Sequence, residues 1–89
     1  MSSDVDPAIA RLREQLTSVD EGIVEAINAR LELVAELRRV KDEKGVGFLD
    51  PAREEWLLQH LEGANRGPLS ADGLRAFYTE LLALTKREL

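Results

Sequence analysis

The sequence predicts an all-α domain: three helices, one long and two shorter, forming an intertwined helical homodimer. Three observations predict it. Apolar residues recur at helical spacing from Ile9 to Leu37 with no proline between them. Cap signatures recur at Asp6-Pro7, Asp50-Pro51 and Ser70. No segment alternates with period two, so no strand is expected.

The first helix spans about residues 7–43. Ile9, Leu12, Leu16, Val19, Ile23, Ile27, Val34 and Leu37 follow one another in steps of three, four or whole turns. Gly22 weakens the helix by about 1 kcal/mol relative to alanine, which a long helix tolerates. Gly45 and Gly47 supply its C-cap and the turn beyond. A second helix spans about 50–64 and stops at Asn65-Arg66-Gly67-Pro68. The third spans about 70–88; Leu69 before its cap and Leu74 fit a hydrophobic staple. At 1.5 Å per residue the first helix is about 55 Å long. A compact domain of this size is only about 25–30 Å across. Two short helices cannot cover such a seam, so a second copy of the chain is expected to.

The 89 residues allow one domain, 1–89, with a small core that a partner would reinforce. There is no cysteine for a disulfide, and one histidine, His60, is too little for a structural zinc site. The net charge of −5 argues against nucleic-acid binding. The start, Met1 to Pro7, has neither a basic head nor an apolar run, so no signal peptide is expected. Apolar stretches are too short to span a membrane, and a cytoplasmic protein follows as the expectation. Nucleophilic and metal chemistry have almost no residues to work with, so an enzyme here is expected to work without a covalent intermediate or a metal.

The seam itself carries cations. Ile23, Ile27, Arg30, Val34, Leu37 and Lys41 step by four, three, four, three and four. Arg30 and Lys41 therefore point within about 20° of one direction. Arg53 begins the stripe Arg53, Leu57, Leu61, Ala64 on the second helix. Thr85 ends the stripe Leu74, Tyr78, Leu81, Thr85 on the third. Arg13 lies about 260° around the helix from Arg30, where it can reach the pocket of a partner subunit. Each cation also has a plain reading: arginine and lysine snorkel at seam margins, and Arg13 can pair with Asp20, Glu14 or Asp4. Three together are harder to explain that way, because a buried uncompensated charge costs several kcal/mol. A small polyanion, held by bidentate arginine contacts, satisfies them. Trp56 is read as covering the core at its edge, and His60 as exposed.

These residues resemble the all-helical chorismate mutases over nearly the whole chain. The likeness rests on Leu12-Arg13, Asp20, Arg30, Lys41, Asp50-x-x-Arg53-Glu54 and the Leu74-to-Thr85 pattern. The stretch Phe48 to Glu55, with Asn65 to Pro68 after it, is similar to chorismate mutase domains fused to a DAHP synthase.

The resemblance implies conversion of chorismate to prephenate, a Claisen-type rearrangement in aromatic amino-acid biosynthesis. It implies a dimer with two sites, each borrowing Arg13 from the other subunit. Arg30 and Arg53 would hold the two carboxylates. Lys41 would contact a carboxylate and the ether oxygen. Glu54, with the backbone near Asp50, would bind the ring hydroxyl, and Thr85 would make a polar carboxylate contact. The family's glutamine or glutamate four residues after Thr85 is replaced by Leu89, leaving Glu88 as the nearest polar group. Two other functions share the resemblance. One is a chorismate- or prephenate-binding regulatory or docking module of a DAHP synthase, with weak activity alone. The other is an isochorismate-pyruvate lyase on the same fold. A plain helical dimerisation domain is the remaining alternative.

Overall fold

The computed structural model describes residues 6–89. Among the described residues there are three helices and no strand: α1 (Pro7–Glu43), α2 (Pro51–Ala64) and α3 (Ala71–Glu88). The Asp4 alternative for Arg13 lies outside the described residues. The expected bounds differ only at Asp50 and Ser70, which serve as caps ahead of the helices.

Each end is fixed locally. Asp6 Oδ1 accepts from the Ala8 amide at 2.9 Å. Asp50 Oδ1 accepts from the Arg53 amide at 3.0 Å, with Pro51 at the first helical position. Ser70 Oγ accepts from the Gly73 amide at 3.0 Å. At the end of α1 the Val46 amide donates to the Lys41 carbonyl at 2.8 Å, and the Gly45 amide to the Asp42 carbonyl at 3.2 Å. This is a Schellman cap. Gly45 supplies the left-handed φ of 69° that the motif requires. The cap ties Lys41 by its own carbonyl to the loop that follows.

The chain divides into two compact units, one ending at Leu33 and one from Val34 to Leu89. In the first, Leu12, Leu16 and Val19 are 54, 61 and 60% exposed. No residue of α1 is buried. In the second, α2 packs against α3. Leu58, Leu74 and Leu81 are buried, and Thr85 with them. The α3 stripe is the expected one. On α2 the buried position is Leu58; Leu57 and Leu61 are half-buried, and Ala64 and Arg53 are exposed.

Ion pairs reinforce the α2–α3 packing. Arg75 Nε donates to Glu62 Oε1 at 2.9 Å, and its two terminal nitrogens reach the two Glu55 oxygens at 3.2 Å. Hydrogen bonding to Arg75, then its charge, lowers the Glu55 pKa, and the same contacts raise that of Arg75. A carboxylate with a lowered folded-state pKa stabilises fully above its ordinary value, about 4.3 for Glu. That contribution fades as pH falls through the lower folded value. In thermal melts, Arg75→Ala is expected to lose a few degrees near neutral pH. The gap from the native chain should narrow as pH falls below about 4.3. A gap independent of pH would contradict the assignment.

Candidate active site

Lys41, Asp50, Arg53, Glu54, Thr85 and Glu88 all lie in the unit from Val34 to Leu89; Arg13 and Arg30 lie in the other. Lys41 is half-buried. Its Nζ donates to the Phe48 carbonyl at 3.3 Å, so side chain and backbone are both tied to the loop after α1. That loop delivers Asp50 to cap α2, and the cap orients the first turn bearing Arg53 and Glu54.

Arg53 does not sit on a buried apolar face, as its stripe predicts. It is exposed, with its Cζ 4.0 Å from the centroid of the Trp56 ring. Trp56 in turn stacks on His60 at 4.9 Å with planes 8° apart. Trp56 thus sits 47% exposed between two partners rather than covering core. His60 is exposed, as expected. The reason is spacing: Arg53, Trp56 and His60 are three and four residues apart, neighbours on one helix face. A guanidinium stacked on an indole keeps its N–H fork in plane and directed outward, suited to a carboxylate. Sequence reasoning missed Trp56 as a support for Arg53; the three-residue spacing was the available signal.

Glu54 Oε1 pairs with Lys86 Nζ at 2.9 Å across α2 and α3. Both line a groove of about 320 Å³ with Pro51, Glu55, Leu58, Thr79, Leu82 and Ala83. Thr85 is 5% exposed, and its hydroxyl donates to the Leu81 carbonyl at 2.8 Å. A hydroxyl has one proton to give, so donating to a carboxylate requires it to turn from Leu81. Glu88 is exposed on the last turn of α3. The Leu89 amide donates to the Thr85 carbonyl at 3.1 Å, and the Leu89 carbonyl accepts from Arg38 Nη1 at 2.8 Å.

In the first unit, Arg30 is half-buried and Arg13 exposed. Arg13 lines a surface hollow of α1 with Ala10, Glu14, Thr17 and Glu21. Its carbonyl accepts from the Thr17 hydroxyl at 3.0 Å.

Residues 12–88 match the model of the type II chorismate mutase family. The chain belongs to the type II chorismate mutase family. All eight candidate residues fall within the matched segment; Leu89 lies just beyond it. The chain is 33% identical over 78 residues to a bifunctional chorismate mutase/prephenate dehydratase of Stutzerimonas stutzeri, covering 81% of this chain and 21% of that protein. It is 35% identical over 81 residues to the T-protein of Haemophilus influenzae, covering 85% of this chain and 22% of that one. The chain therefore spans about a fifth of the length of these relatives. A solved chorismate mutase of Thermus thermophilus (form I) superposes with a TM-score of 0.85 at 31% identity, covering 88% of this chain and 98% of that one. The chorismate mutase fold follows from these matches. No helix among the described residues is long and apolar enough to cross a membrane.

Proposed function

We propose that this chain isomerises chorismate to prephenate as a homodimer, without a cofactor, in the cytoplasm. The observation that carries the reading is Lys41. This half-buried lysine is fastened at both ends to one loop, inside the segment that matches the family.

The rearrangement breaks a C–O bond and forms a C–C bond in one step. It needs no nucleophile, only a substrate held in its compact reactive conformer. Negative charge builds on the ether oxygen as the bond breaks. The Lys41 ammonium stabilises that charge more in the transition state than in the ground state. Arg30 and Arg53 hold the carboxylates, Glu54 and the backbone near Asp50 the ring hydroxyl, and Thr85 makes a polar contact. Glu88 stands beside Leu89, where the family has a glutamine or glutamate, and it donates to the ether oxygen only when protonated. Arg13 comes from the second copy.

The apolar face of α1 supports the dimer. Leu12, Leu16, Val19 and Leu33 are all more than half exposed, an arrangement costly in water unless a partner covers it. A DAHP synthase remains a proposed further partner.

The test is loss of the chorismate diene absorbance on adding the purified chain, with prephenate identified by NMR. Turnover of chorismate but not isochorismate is expected. Binding of prephenate with turnover only after a DAHP synthase is added would instead support a regulatory module. Pyruvate release from isochorismate would support a lyase.

A further inference from the structure

We propose that Arg38 is a positioning residue that joins the last turn of α3 to the loop holding Lys41. Its guanidinium makes two contacts with segments far apart in sequence. Nη1 donates to the Leu89 carbonyl at 2.8 Å. Cζ lies 5.0 Å from the centroid of the Phe48 ring. The carbonyl of that same Phe48 accepts from Lys41 Nζ at 3.3 Å. One arginine therefore fixes the residue that fixes the lysine, and ties the turn that carries Glu88 to the same place.

Physical chemistry explains the choice of side chain. A planar guanidinium can stack by its face on a ring while its edge donates to a carbonyl; an ammonium offers no such plane. The Leu89 main-chain oxygen lies at the C-cap of α3, where the helix dipole favours a cation. Arg38 supplies that cation. The contact leaves the last turn held from outside the helix, where it would otherwise fray. Phe48 is half-buried although the loop around it is exposed, in keeping with a ring covered on one side by Arg38.

The consequence for catalysis rests on the isomerase reading. An ammonium that drifts loses more contact with a developing charge than with a ground-state oxygen, so the loss falls on kcat rather than KM. The consequence for the last turn does not depend on that reading.

The experiment compares Arg38→Gln and Arg38→Lys with the native chain by amide hydrogen exchange and steady-state kinetics. In Arg38→Gln the Leu89 amide, which donates to Thr85, is expected to exchange about fivefold to tenfold faster, the effect of one lost charge-assisted hydrogen bond. Amides in the middle of α3 should not change, and the melting temperature should stay within about 4 °C. kcat should fall about fivefold with KM moved less than twofold. Arg38→Lys should recover less than half of both effects, because it restores charge without the plane. An unchanged Leu89 exchange rate, or an unchanged kcat in a chain that turns over, overturns the proposal. If the native chain fails to convert chorismate while the exchange effect appears, the isomerase reading falls and the positioning contact stands.

Discussion

Lys41→Ala is expected to lower kcat for chorismate by about 100- to 1,000-fold, the usual effect of removing one preorganised donor from a developing negative charge. The residue's surroundings give the reason for so large an effect. Lys41 is half-buried, so its charge is less screened than that of a surface lysine. Its backbone carbonyl holds the Schellman cap and its ammonium holds the Phe48 carbonyl, so little reorganisation accompanies the reaction. The backbone half of this arrangement survives in the alanine variant, and circular dichroism should show an intact helix content. Initial rates from the diene absorbance read the loss. A plain helical dimerisation domain predicts the opposite: Lys41→Leu would be tolerated or stabilising, with no ligand-dependent thermal shift.

Arg30→Ala is expected to lower kcat/KM by about 100-fold, mainly through KM, since two charge-assisted hydrogen bonds to one carboxylate are each strong. Arg30→Lys should restore little of this, because a point charge cannot reproduce a bidentate fork. Substrate titration of initial rates separates the two constants. A normal KM in Arg30→Ala would remove Arg30 from the carboxylate site.

Much of the fold was legible because its signals are local. Asp50-Pro51, Ser70 and Gly45 each act within a few residues of themselves, and all three helix ends fell where those residues place them. Periodicity also placed an apolar face on α1, and in the single chain none of its residues is buried. Periodicity is weaker at choosing between neighbours. Leu57 and Leu58 are adjacent leucines, and only the packing of α3 decides that Leu58 is the buried one. The site followed the same division. The acidic cap at Asp50 and the half-buried Arg30 and Lys41 follow from pattern and spacing. Arg53 on Trp56, Glu54 on Lys86 and Arg38 on Leu89 are choices among competing partners, and the last two join residues 32 and 51 positions apart. No window of sequence contains such pairs. The placement of Arg53 shows the competition plainly: an exposed indole three residues away outweighed the apolar stripe its own position begins.

Complementation between impaired chains tests the central claim most directly, that the site is an isomerase centre assembled from two copies. Arg13→Ala and Arg30→Ala chains, each strongly impaired alone with chorismate held well below the native KM, are co-expressed with different tags so that subunits pair as they fold, and the mixed dimer is purified and assayed in that range. Random pairing makes half of the dimers mixed, and each mixed dimer holds one site with both arginines intact. The unfractionated mixture is thus expected to regain about a quarter of native activity per subunit, and the purified mixed dimer about half. A mixed dimer as impaired as its parents would contradict the shared site.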